Sequence, residues 1–81
     1  MRIDKYLKIS KLIKRRTLAK KASDLQRVFV NDSIAKASKE VFVNDIIRLE
    51  LGRNTIIAKI MSLNINDAEL FEIIEIIPVK M

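Results

Sequence analysis

The spacing of apolar positions changes once along the chain, near Arg27. Before that point they return at helical intervals. In Arg-Ile-Asp-Lys-Tyr-Leu-Lys-Ile-Ser-Lys-Leu-Ile, residues 2–13, Ile3, Leu7 and Ser10 share one stripe, with Tyr6, Ile9 and Ile13 beside it. That is the periodicity of an amphipathic helix. Asp4 falls in its first turn, where a carboxylate complements the helix dipole. A second helix is predicted from an N-cap at Thr17 to about Gln26, with Leu18, Ala22 and Leu25 at i, i+4 and i+7 as its packed stripe. Position 20 is Lys, so the reciprocal half of a capping box is missing.

After Arg27 the runs become short and rich in β-branched residues. Val-Phe-Val, Ser-Ile-Ala-Lys-Ala, Asp-Ile-Ile-Arg-Leu-Glu-Leu, Thr-Ile-Ile-Ala-Lys-Ile-Met-Ser-Leu and Leu-Phe-Glu-Ile-Ile-Glu-Ile-Ile follow one another with turn residues between them, which predicts strands. Alternation is clearest where Ile47, Leu49 and Leu51 face one way and Ile46, Arg48 and Glu50 the other. Gly52-Arg53-Asn54 supplies a hairpin turn. Residues 70–77 repeat with period three, which a helix could share; their isoleucines and the stop at Pro78 favour a strand. The expected fold is α+β, two N-terminal helices packed on a small, mainly antiparallel sheet, in a single domain over residues 1–81.

Val-Phe-Val-Asn-Asp occurs twice, at residues 28–32 and 41–45. Two copies so closely spaced cannot form a repeat architecture. Each reads as a strand end running into a turn, where Asn tolerates the left-handed conformation. With a single glycine in the chain, Asn is the natural substitute.

Composition removes most catalytic chemistry. Apolar residues make up 49% of the 81 positions, enough for one small core. There is no Cys and no His, which excludes disulfides, thiolate metal sites, cysteine nucleophiles and histidine bases within these residues. One glycine leaves no phosphate-cradling loop. Glu69, Glu72 and Glu75 read as the solvated edge of the last segment and Asp67 as a loop or cap residue. Tyr6 reads as a partly buried helix residue rather than a stacking platform, and Phe29 and Phe42 as core. No enzymatic activity, metal or cofactor is expected. A cysteine-free chain suits a reducing cytoplasm. Lysines interrupt the apolar positions of residues 1–16, so no secretory leader is predicted, and the apolar runs fall far short of a membrane span.

Charge points to a partner. Residues 1–40 hold 12 of the 16 Lys and Arg and 4 of the 10 Asp and Glu, a balance of +8, against −2 for the remainder. Lys-Arg-Arg-Thr-Leu-Ala-Lys-Lys, residues 14–21, carries five cations and no acid. Lys5, Lys8 and Lys11 add a strip along the first helix. Such asymmetry fits a polyanion, and guanidinium forks at Arg2, Arg15, Arg16 and Arg27 suit phosphate. Nucleic acid is the favoured partner. A duplex-DNA reader would need a better exposed recognition helix, and a membrane-surface helix would fit poorly with a sheet and no Trp.

Four separated motifs stand in order: Arg-Ile-Asp-Lys-Tyr-Leu at 2–7, Arg-Arg-Thr-Leu-Ala-Lys-Lys-Ala at 15–22, Arg-Val-Phe-Val-Asn at 27–31 and Lys-Ala-Ser-Lys-Glu-Val at 36–41. Over roughly residues 2–51 the chain resembles the alpha-L RNA-binding domain, first known from a small-subunit ribosomal protein. The resemblance implies that Arg2, Lys5, Arg15, Arg16 and Lys20 contact RNA, with Thr17 at the helix start. Lys8, Lys11, Lys14 and Lys21 join them from the charge pattern, and Lys36 and Lys39 could extend the surface. Asp4 either pairs with an arginine of the 14–16 turn and fixes its direction, or serves the helix dipole. Relatives commonly carry Gly after the Asn of the first turn and Gly-Asp at the second. Asn31-Asp32 and Asn44-Asp45 depart from that, leaving the turn types open.

Short stand-alone bacterial members of the family imply specific partners. These are the large ribosomal subunit, its rRNA, and the peptidyl-tRNA left on it after a stalled ribosome splits. A further factor would add a C-terminal tail to the stalled chain. The alternative is heat-shock-type ribosome recycling or assembly without tailing. The protein is expected to be monomeric off the ribosome and to have no membrane partner.

Overall fold

The protein is described by a computed structural model covering residues 1–78; residues 79–81, the end of the C-terminal region, lie outside the described residues. The elements, in order, are α1 (Ile3–Ile9), α2 (Arg16–Asp24), β1 (Val28–Val30), β2 (Ser33–Ile34), β3 (Ile46–Leu51), β4 (Asn54–Ile60) and β5 (Phe71–Pro78). The expected α+β arrangement is the one observed.

The apolar stripe of α1 is buried as its spacing requires: Ile3, Tyr6 and Leu7 are fully buried. The helix has no side-chain cap. Its first free amides are instead taken by the loop after β2: Ile3 N–H donates to the Lys39 carbonyl at 2.7 Å and Asp4 N–H to that of Ala37 at 3.2 Å. Helix starts leave such donors unsatisfied unless something else accepts them. The Lys-Ala-Ser-Lys-Glu-Val motif is therefore the cap of α1. The helix stops earlier than its periodicity suggests because Lys11 turns left-handed, at φ 65°. Ile13 remains a core residue beyond the helix end.

α2 departs from expectation at both ends and in its rotation. Thr17 is not the N-cap; Arg15 holds that position in extended conformation, and the helix begins at Arg16. The predicted packed stripe is also displaced. Leu18 is 48% and Leu25 55% exposed, whereas Ala19 and Ser23 are buried. The inward face thus runs through Arg16, Ala19 and Ser23, at i, i+3 and i+7. Small side chains there let α2 lie close on α1, and this rotation seats Arg16 on α1. The helix ends in a Schellman arrangement: Gln26, at φ 59°, donates to Ser23 O at 2.9 Å, and Arg27 donates to Ala22 O at 3.0 Å.

The five strands form one antiparallel sheet in the order β2-β1-β3-β4-β5. Its inner face carries Val28 and Val30 of β1, Ile47 and Leu49 of β3, and Ala58 and Ile60 of β4, all buried against the helices. The residues 70–77 expected as a strand lie almost wholly in β5. Asn31-Asp32 joins β1 to β2, with Val30 opposite Ser33 and φ of 50° and 69°. A two-residue turn with both φ positive is type I′, whose twist matches that of the strands.

The second Val-Phe-Val-Asn-Asp run does not form a strand; residues 41–45 are an irregular turn. Val41 is fully buried but Phe42 is 60% exposed, which corrects its expected place in the core. The first run is paired with β2 and β3, whereas among the described residues the second has no strand partner and is tied inward at Val41, whose N–H donates to the Met1 carbonyl at 2.9 Å.

Candidate nucleic-acid interface

Asp4 organises the cationic face. It is buried in the first turn of α1. Arg2 donates to it from Nε at 3.2 Å and from Nη2 at 3.1 Å. Arg16, from the first turn of α2, places Nε 3.3 Å from Oδ2 and Nη2 3.4 Å from Oδ1. The backbone N–H of Lys5 donates to Oδ1 at 2.8 Å. An unpaired carboxylate at this depth would carry a heavy desolvation cost. Burial does push the Asp4 carboxyl upward. The Arg16 hydrogen bond, the Lys5 N–H and the charges of Arg16 and Arg2 outweigh it and hold the group below its ordinary value.

The same contacts work in the other direction. Two guanidinium groups from separate segments would repel each other, and the shared anion between them removes that penalty. Both arginine side chains stay 48% exposed, so each keeps donors for an outside ligand. Asp4 thus pairs with Arg16 of the 14–16 turn as well as with Arg2.

The remaining expected residues, Lys5, Lys8, Lys11, Lys14, Arg15, Thr17, Lys20, Lys21, Lys36 and Lys39, are all exposed. They fall into separate groups. Arg2, Lys20 and Lys36 line one depression, brought together because the loop after β2 caps α1. Lys8, Lys11 and Lys14 line another, with Ile9 and Ile65. Lys39 lies in a third, alongside Phe42. Thr17 is exposed on the first turn of α2 and makes no capping bond. Tyr6 is fully buried and donates its hydroxyl to the Leu70 carbonyl, so it is not a stacking platform. Sequence reasoning placed Phe42 in the core, and no local signal separated it from Phe29, because the first run has the same five residues and does form a strand.

No helix of the described residues is long and apolar enough to cross a membrane. Two short helices presenting cations outward from a small sheet have the build of an RNA-binding domain. A family model for the S4 domain matches residues 1–47, and the chain belongs to this family, the RNA-binding family whose motifs it carries. It is 43% identical over 63 residues to the RQC P-site tRNA stabilizing factor of Streptococcus pneumoniae, covering 78% of this chain and 72% of that protein. The Bacillus subtilis protein of the same name is also 43% identical over 63 residues, covering 78% and 73%. Among solved structures, the trimeric heat shock protein 15 of Vibrio cholerae superposes with a TM-score of 0.81 at 26% identity, over 90% of this chain and 80% of that one.

Proposed function

We propose that this protein binds the large ribosomal subunit through its rRNA and through the peptidyl-tRNA retained there after a stalled ribosome splits. In doing so it supports C-terminal tailing of the stalled chain by a partner factor. What carries the reading is the cation cluster built on Asp4, in a chain 43% identical to proteins named for stabilising P-site tRNA. Exposed guanidinium and ammonium groups on α1, α2 and the capping loop suit phosphates of folded RNA, read by shape rather than by base sequence. The protein acts by binding, with no chemistry of its own, and its work with ribosomes places it in the cytoplasm.

A second reading, ribosome recycling or assembly of the heat-shock type, draws support from the likeness to the Vibrio cholerae structure. Cosedimentation at moderate salt separates the two. The purified protein is run with empty large subunits, intact ribosomes, and large subunits bearing peptidyl-tRNA. Enrichment on the tRNA-bearing subunits is expected. Equal binding to all three would favour the second reading, and binding to none would overturn both.

A further inference from the structure

Phe42 stands 60% exposed at the mouth of a groove of about 640 Å³ between β2 and the loop that caps α1. Single exposed apolar residues are ordinary on protein surfaces, so exposure alone says little. Three further observations give this one meaning.

The first is rigidity. Val41, just before it, is fully buried and donates its N–H to the Met1 carbonyl at 2.9 Å. The Phe42 N–H donates to Asp45 Oδ2 at 2.9 Å, and its carbonyl accepts the Asp45 N–H at 3.1 Å. The ring is therefore presented from a fixed backbone. The second is charge. Of the carboxylates lining the groove, Glu40 is held by the N-terminal ammonium at 2.6 Å, and Asp45 is engaged by Asn31 and by the Phe42 N–H. Lys36 and Lys39 are the lining cations, and neither forms an ion pair among the described residues. The third is continuity. Ile34, Lys36 and Ser38 line this groove and also the neighbouring depression that holds Arg2 and Lys20.

We propose that this groove receives an unpaired nucleotide of the bound RNA, its base against Phe42 and Ile34 and its phosphate on Lys36 and Lys39. The proposal rests on the RNA-binding reading above and adds a site to it. A flat apolar base and one adjacent anion match the lining, and a strand leaving the Asp4-centred face reaches the groove along a depression lined by three cations, Arg2, Lys20 and Lys36, and one acid, Asp24. Stacking on an aromatic ring is tolerant of base identity, so the site would favour unpaired RNA over paired RNA rather than one sequence over another.

The test compares a stem–loop RNA carrying a single-stranded extension with the same stem–loop made blunt, at one fixed salt concentration. The expected preference for the extended RNA is about tenfold. It is lost in Phe42→Ala and kept in Phe42→Tyr, each checked for unchanged circular dichroism. The chain has no Trp, so Phe42→Trp supplies a lone tryptophan, excited selectively over Tyr6, whose emission the extended RNA quenches. Arg16→Ala weakens both RNAs alike and leaves their ratio intact. If Arg16→Ala changes neither affinity, the RNA face itself is misassigned. If Phe42→Ala leaves the ratio unchanged, the nucleotide site is overturned. Equal quenching by free adenosine monophosphate would overturn the RNA occupant in favour of a free nucleotide.

Discussion

Asn31 of the first Val-Phe-Val-Asn-Asp run donates from Nδ2 to Asp45 Oδ1 of the second at 3.1 Å. Asn31 Oδ1 also accepts the Ile46 N–H at 2.9 Å, at the start of β3. The two copies are not structurally equivalent, yet the turn residue of one clasps the turn residue of the other. The clasp ties the β1–β2 hairpin to the loop that presents Phe42.

Asn31 also sits at φ 50°, so its substitution has two separable costs. Asn31→Ala loses both bonds and strains the backbone, and should cost about 2 kcal/mol. Asn31→Gly loses the bonds but relieves the backbone, and should cost about 1 kcal/mol less than Ala. Urea titration of both variants checks the difference. Equal losses would show that the left-handed conformation carries no cost here.

Tyr6 reaches across from α1 to the carbonyl of Leu70, which also accepts from Met61 N–H at 2.9 Å and Ser62 N–H at 3.2 Å. Tyr6→Phe therefore leaves that carbonyl satisfied and should cost only about 1 kcal/mol. Burial pushes the Tyr6 phenol up from 10.0 to about 12. A raised value means that the folded state holds the proton longer than the unfolded chain does. The Tyr6 contribution is full below pH 10.0 and is lost as pH rises through about 12. Denaturant titrations at alkaline pH should show wild type losing its advantage over Tyr6→Phe across that window.

Asp4 has the opposite sign. Its carboxyl lies below the ordinary 3.8, so its ionised form stabilises the fold above that value, and the contribution is lost as pH falls below it. The stability gap between wild type and Asp4→Asn should be constant at neutral pH and close on acidification below about pH 4. Thermal melts at stepped pH measure it; a gap independent of pH would show that the ion pairs contribute nothing.

What was legible in the sequence was what near neighbours along the chain decide. The Ile3 and Leu7 stripe and the Ile47, Leu49 alternation follow from local period, and both are buried as read, while Tyr6 beside the stripe is buried more deeply than its position suggested. The rotation of α2 was not legible, because it depends on a pair twelve residues apart in sequence, Arg16 on Asp4. In the same packing Ala19 and Ser23 face inward and Leu18 and Leu25 stay in solvent. Thr17 looked like a cap by residue type, but the same contact starts the helix at Arg16. Phe42 was hidden by identity with the first run, whose surroundings it does not share. The cations themselves were readable from charge, since exposed Lys and Arg need no particular packing. Their grouping was not, because the loop at 36–39 comes beside Arg2 only by capping α1.

Salt tests how many of those cations work together. With about six phosphates engaged, affinity for a structured rRNA fragment should fall roughly a thousandfold between about 50 and 200 mM salt. Lys20→Ala should lower the slope of log affinity against log salt by about one, with little change in preference among RNA sequences. A slope near zero in the wild type would remove phosphate contact as the basis of binding.

The most direct test of the interface is Asp4→Asn. The substitution deletes a negative charge from beside the proposed RNA face, so charge alone predicts tighter binding. The geometry predicts the reverse. Without the carboxylate, Arg2 and Arg16 lose the partner that aims them and repel each other, and affinity for the same rRNA fragment should fall about tenfold. Dissociation constants are measured at one salt concentration and at a temperature where circular dichroism shows both proteins folded. Weaker binding by a folded Asp4→Asn protein is the predicted result; equal or tighter binding would contradict the account.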